Sequence, residues 1–174
     1  VAEVWGGSTK DFAGATDADV QAAIDQLRAD LTEKHIGVHV TEVANGFRFE
    51  CEMPEGAVRV NGDRDALAQV VVNLLSNAEK YSDSRKEITL RVKLPSGPLP
   101  CAEVSVLDRG LGVPAGSAER IFEQFYRAHD SLGNGIQGSG LGLTLARQIA
   151  RAHEGEVVYE AREGGGSCFT LRLP

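Results

Sequence analysis

Three groups of residues in this chain have types and spacings suited to chemistry. Within Leu67–Ser82, reading LAQVVVNLLSNAEKYS, the residues Gln69, Asn73, Asn77 and Lys80 fall at i, i+4, i+8 and i+11, so a helix lines up carboxamides and one ammonium on a narrow stripe. The Asn77 oxygen is of the hard kind that Mg²⁺ accepts beside phosphate oxygens and waters, and Lys80 is a point charge for phosphate one turn on. Asp108 precedes Gly110 and Gly112, which permit positive φ and close backbone approach by a flat ligand. Its carboxylate only accepts, so it would bind the amino group of adenine and oppose the O6 of guanine. Gly138, Gly140 and Gly142 stand before and inside the start of a helical pattern, where backbone amides form an anion site. No Gly-Lys-Ser/Thr follows, and the spacing is not that of a dinucleotide loop. Each signal alone has a plainer reading: a solvated helix face, a surface turn, a hinge. Their occurrence in one chain, with IFEQFYR at 121–127 between the second and third, argues for a shared site.

The elements that must position these groups follow from periodicity. Residues 1–15 have no sustained period and read as a linker, and Thr16 then caps a helix carrying Val20, Ile24, Leu27 and Leu31 through Lys34. Val38 and Val40 alternate with polar residues, Asn45-Gly46 signals a hairpin, and Phe47, Phe49, Cys51 and Met53 recur at period two. A short strand is expected at Ala57–Val60, and Asn61-Gly62-Asp63 opens a helix over 63–82 whose apolar arc is Leu67, Val70, Val71, Leu74, Leu75, Ala78 and Tyr81. Strands at Ile88–Leu94 and Val104–Asp108 flank a turn at Pro95–Pro100. Residues 113–138 lack a long period and carry several glycines around a short helical piece near Ala118–Tyr126, the profile of a mobile lid. A helix at Leu141–His153 and strands at Gly155–Arg162 and Ser167–Leu173 complete the chain. Helices alternating with hairpins indicate an α+β, two-layer sandwich: a mixed sheet with helices on one face.

Composition excludes several classes. The 174 residues, 42% hydrophobic and 25% charged, fit one domain with a sizeable core. A formal charge of −7 without any Lys/Arg-rich block argues against a nucleic-acid or anionic-membrane surface. Cys51, Cys101 and Cys168 are odd in number and widely spaced, so neither a disulfide framework nor structural zinc is expected, and each reads as a buried small hydrophobe. No apolar run reaches the length of a membrane span or secretory signal, and the first residue is not Met; the expectation is a cytoplasmic piece of something longer.

The order NLLSNAEKYS, DRGLGVP, IFEQFYR, GSGLGL and GGGSCFTLRLP resembles the N, G1, F and G2 boxes of the ATP-binding catalytic domain of sensor histidine kinases, within the wider family of Hsp90-like and gyrase-like ATPases. The likeness spans about residues 16–174 and implies a Bergerat-type α/β sandwich with a mixed, mostly antiparallel sheet. Carried onto this sequence, it implies that Asn77 coordinates Mg²⁺ with Asn73 beside it, Lys80 contacts phosphate and Tyr81 borders the adenine. Asp108 would bind the adenine amino group, with Gly110 and Gly112 shaping the pocket and Thr170 supporting Asp108 through its hydroxyl. Arg127 would approach the γ-phosphate, Gly138, Gly140, Leu141 and Gly142 would cradle phosphates, and Phe122 and Phe125 would form an aromatic hinge of the lid. The chain departs from the family's usual His-Gly-Gly at His153-Glu154-Gly155, a turn outside the nucleotide site, and residues 1–15 are too short for the helical hairpin bearing a phosphoacceptor histidine. The implied function is transfer of the γ-phosphate of Mg·ATP to a histidine on a separate dimerisation domain, with a response regulator as indirect partner and neither nucleic acid nor membrane in direct contact. The alternative is an ATPase clamp or a non-catalytic nucleotide-sensing module. Related ATPases place Glu four residues before the Mg²⁺ Asn, where this chain has Asn73, which cannot take a proton.

Overall fold

The structure, a computed structural model, describes residues 39–43, 47–54, 58–82, 85–93, 101–129 and 138–174, with 39–43 and 47 described by their backbone. The helix expected over 16–34, the hairpin turn at Asn45-Gly46, the turn at 95–100 and residues 130–137 of the expected lid lie outside them. Six strands form one sheet: β1 (His39–Val43), β2 (Phe47–Glu52), β3 (Glu87–Lys93), β4 (Ala102–Asp108), β5 (Glu156–Ala161) and β6 (Ser167–Leu173). Their order is β1-β2-β3-β4-β6-β5. Only β2 and β3 run parallel; the other neighbours are antiparallel. The sheet is thus mixed and mostly antiparallel, as the sequence led us to expect. Of the strand expected at 57–60, residue 57 lies outside the described residues and 58–60 are not in a strand; Val58 buries against Val92 and Ala102.

The sheet has two chemically different faces because side chains alternate. Ile88 and Leu90 of β3, Val106 of β4, Val157 of β5 and Phe169, Leu171 and Leu173 of β6 point into the main core, where the helices pack. The other face carries Arg91, bonded to Glu52 through two nitrogens, and the Ser105–Thr170 hydroxyl pair at 2.8 Å. Helix α1 (Arg64–Tyr81) buries Leu67, Val70, Val71, Leu74, Leu75 and Ala78, the expected arc except that Tyr81 stays half-buried. The Asp63 side chain caps its first turn by accepting from the Ala66 N–H at 2.9 Å, and at the other end the Ser82 hydroxyl returns to the Ala78 carbonyl at 2.7 Å. Helix α2 (Gly142–Ala152) lies against α1, burying Thr144, Ala146 and Ala150.

Two bonds fasten the helices side by side. Asn73 Nδ2 donates to the Gly142 carbonyl at 3.3 Å. At the far end the Asp63 N–H donates to His153 Nε2 at 3.0 Å, which obliges Nδ1 to be the nitrogen that donates to the Ile149 carbonyl at 2.7 Å. The eleven residues from 63 to 73 and the eleven of α2 each span about 15 Å, so the antiparallel match is geometric. After His153 the chain reverses through Glu154, which holds the left-handed conformation, φ 59°, where the family's usual motif would put glycine.

The first half of the expected lid is not loose. Ile121 and Phe122, in a single 3₁₀ turn (Arg120–Phe122) rather than the expected longer helical piece, are buried at 6% and 8% exposure. Thr144 donates to the Phe122 carbonyl at 3.0 Å, and the Arg147 guanidinium lies 4.4 Å from the Phe122 ring centre. The residues at 113–129 are therefore packed against α2, because their few apolar side chains find core positions that no sequence period announces.

Candidate functional site

The site begins with Asp108, the last residue of β4. Val106 faces the core, so alternation turns Asp108 the same way, into the space between sheet and α1, where it is 2% exposed. A carboxylate there needs partners, and backbone amides supply them: Asp108 Oδ1 accepts from the N–H groups of Gly110 at 2.8 Å and Ser167 at 3.2 Å. Burial pushes its carboxyl above the ordinary value, and the Gly110 and Ser167 hydrogen bonds and the Arg162 charge pull it back in part. The approach requires glycines. A Cβ on Gly110 would lie 2.1 Å from the Tyr81 carbonyl oxygen, and one on Gly166, at φ 100°, would lie 2.2 Å from the Asp108 carbonyl oxygen. The Leu111 N–H bonds the Tyr81 carbonyl at 3.0 Å, which ties the Asp108 turn to the end of α1.

A cavity of about 60 Å³ opens in front of this carboxylate. Asn77 and Tyr81 of α1, Gly112, Arg127, Ser167 and Phe169 line it, and Ile121, Tyr126 and His129 close it from the side of the 113–129 segment. His129 Nε2 donates to the Gly112 carbonyl at 2.8 Å, and its ring sits tilted 5.8 Å from that of Tyr81. The volume is far below the several hundred Å³ of pockets that engulf a drug-sized ligand.

The structure gathers Asn77, Tyr81, Asp108, Gly112 and Arg127 around one cavity, with Gly110 behind the carboxylate. Others it places apart. Lys80 is exposed on α1 and is not in the cavity wall. Asn73 has its carboxamide engaged on both sides, accepting from Gln69 Nε2 at 3.1 Å and donating to Gly142. Thr170 does not support Asp108: its hydroxyl meets Ser105 on the opposite face of the sheet, and Ser167 fills the expected role through its N–H and side chain. Alternation explains the correction, since Ser167 shares a face with Phe169, Leu171 and Leu173 whereas Thr170 has the other parity.

Midway along α1, beside Asn73, helix α2 starts at Gly142 with Leu141 as N-cap and no side-chain cap on its first amides. Gly140, at φ 71°, is required, because a Cβ would lie 2.8 Å from the Phe125 carbonyl carbon. Cβ atoms on Gly138 and Gly142 would meet nothing within 4 Å. The cysteines depart from expectation in part: Cys51 is buried, its thiol pushed up to about 11 chiefly by burial, while Cys101 and Cys168 are only partly covered.

Comparison with known proteins agrees with this geometry. Residues 62–174 match the family described as histidine kinase-, DNA gyrase B- and HSP90-like ATPases. The chain is 39% identical over 123 residues to the adaptive-response sensory kinase SasA of Crocosphaera subtropica, covering 71% of this chain and 31% of that protein. It is 34% identical over 151 residues to the sensor-like histidine kinase SenX3 of Mycolicibacterium smegmatis, covering 87% and 38%. It thus spans about a third of the length of these curated relatives. Among solved structures, the nucleotide-free catalytic domain of histidine kinase ThkA superimposes with a TM-score of 0.59 at 30% identity, covering 72% of this chain and 78% of that one. The match takes in well over half of the chain, and the chain belongs to the histidine kinase-, DNA gyrase B- and HSP90-like ATPases.

Proposed function

We propose that this chain is a kinase catalytic domain that binds Mg²⁺·ATP and passes the γ-phosphate to a histidine on a separate dimerisation domain of a cytoplasmic sensor assembly. The observation that carries the reading is Asp108: a carboxylate 2% exposed, held by two backbone amides at the head of a cavity, has a purpose if it accepts from the adenine amino group. The phosphates would then extend along α1 toward the amides that open α2, with Arg127 on the cavity wall as the cation for the γ-phosphate.

The residues fit a divalent cation that arrives with the nucleotide. Among the described residues no cluster of three or more His, Cys, Asp and Glu side chains forms a metal site, while Asn77, whose carboxamide carries a neutral hard oxygen, lines the cavity. Bound there, Mg²⁺ would neutralise phosphate charge. Phosphoryl transfer then rests on positioning and charge stabilisation, and an incoming nucleophile must arrive in line with the γ-phosphate. Asn73 supplies no base for water, because a carboxamide cannot take a proton, and this one is held by Gln69 and Gly142. That favours transfer to a partner over hydrolysis.

A docking domain would find apolar surface near the phosphate end. Phe125, 70% exposed at φ 63°, is hydrogen-bonded through its N–H to the Gly140 carbonyl, and Leu141 and Leu145, one helical turn apart, are also exposed. Among the described residues no helix is long and apolar enough to cross a membrane. Incubation with γ-labelled ATP, with and without the matching histidine-bearing domain, tests the proposal. Acid-labile label should appear on the added domain only; label on this chain alone, or brisk phosphate release, would overturn it.

A further inference from the structure

Arginines in this acidic chain, of formal charge −7, are held in different ways. Those on the open sheet face and on α2 are matched with carboxylates: Arg91 with Glu52, Arg147 and Arg151 with Glu156, Arg172 with Glu103. Arg85, Arg109 and Arg162 are not. They converge on the turn between β5 and β6, and each donates to a main-chain carbonyl: Arg85 to Gly164 at 3.1 Å, Arg109 to Glu163 at 2.8 Å and Arg162 to Asp108 at 2.8 Å. Among the described residues none of the three lies within ion-pair distance of a carboxylate, and the exposed Glu163 side chain bonds none of them. Three like charges around one turn repel, and burial together with the neighbouring Arg109 pulls the Arg162 guanidinium below its ordinary value. Each guanidinium has five N–H donors in a planar fork and gives one to a carbonyl, so the Arg85 and Arg109 forks, whose contacts are exposed, keep donors for a planar anion.

We propose that the Arg85–Arg109–Arg162 turn is a docking site for a carboxylate-rich peptide segment of a partner protein. Carboxylates match the forks two bonds at a time. The overall negative charge of the chain opposes long, uniformly charged polymers such as nucleic acid or an anionic membrane, but scarcely a short segment whose few carboxylates meet three arginines at contact distance. The site is separate from the cavity, since Arg162 holds the carbonyl of Asp108 while the carboxylate of that residue faces the cavity. The inference stands without the phosphotransfer proposal.

The test uses the nucleotide-free 174-residue chain and a fluorescein-labelled hexaglutamate peptide, read by anisotropy, with hexaglutamine as control. Hexaglutamate should bind saturably and weaken as salt is raised, and hexaglutamine should not bind. Arg85→Gln with Arg109→Gln should weaken binding by about fivefold or more, whereas the equal charge loss of Arg48→Gln with Arg120→Gln, both exposed and carboxylate-paired, should change it less than about twofold. Amide shifts of the unsubstituted chain should cluster at 162–166, a reading that stands even if the double variant fails to fold. Unchanged binding by a folded Arg85/Arg109 variant, shifts centred elsewhere, or tighter binding of an oligonucleotide or of phosphatidylserine vesicles through these arginines would overturn the proposal.

Discussion

The two ends of the candidate site are built on opposite plans. At the Asp108 end the protein touches itself everywhere: Gly110 and Gly166 leave no room for a Cβ, and the carboxylate is held by two amides. At the α2 end, Gly138 and Gly142 have open space around them, the first amides are uncapped, and Lys80 is exposed. On the proposed reading, the base end is formed before any ligand arrives, whereas the phosphate end is left for the ligand to complete.

Paired glycine substitutions should break the symmetry most visibly. Gly110→Ala drives a methyl into the Tyr81 carbonyl and should cost about 3 kcal/mol or more, while Gly142→Ala, in open space at the start of a helix, should be neutral or slightly stabilising. Thermal melts of the ligand-free proteins decide it, and equal losses would erase the contrast.

Asp108→Asn sharpens the comparison, because Oδ1 can still accept from both amides while a donor replaces the second oxygen. ATP binding should weaken by about tenfold to a hundredfold, roughly 1.5–3 kcal/mol, in calorimetry. The ligand-free variant should nevertheless melt higher at neutral pH. The sign follows from burial: the folded chain holds the Asp108 proton more firmly than the unfolded chain, so stability falls as pH rises from the ordinary carboxyl value through the raised one. The parent should show that decline and the variant should lack it.

On the phosphate side, Asn77→Ala should weaken ATP in the presence of Mg²⁺ by about tenfold and leave adenosine almost unchanged. A parallel loss of both would mean that α1 itself had been damaged. The smallest effect is expected outside both ends. Glu154→Gly relieves a left-handed residue and should stabilise the chain by about 1 kcal/mol without altering nucleotide affinity.

Much of this was legible in the sequence, for reasons that are local. The arc of α1, the parity of β3 and β6 and the Asp-x-Gly-x-Gly turn are repeats within a few residues, and so is the glycine run that opens α2. What escaped depended on partners far along the chain. The burial of Phe122 within the expected lid is one case, since Thr144 and Arg147, more than twenty residues away, hold it. Thr170 was the wrong hydroxyl, although parity alone would have found Ser167: Phe169 and Leu171 declare the core face of β6, and Val106 declares that of β4. Nor does any spacing foretell that His129 would lie over Tyr81 or that three arginines would meet at one turn.

The double fastening of α2 to α1, through Asn73 at one end and His153 at the other, makes the pair a single stiff beam. A beam does not re-aim when a ligand loads one tip. Strain introduced at the uncapped amides would be felt, nearly undiminished, at Asp63 some three turns away, and the mechanical compliance of the site would reside in the chain that leads into Gly142 instead of in the helices themselves.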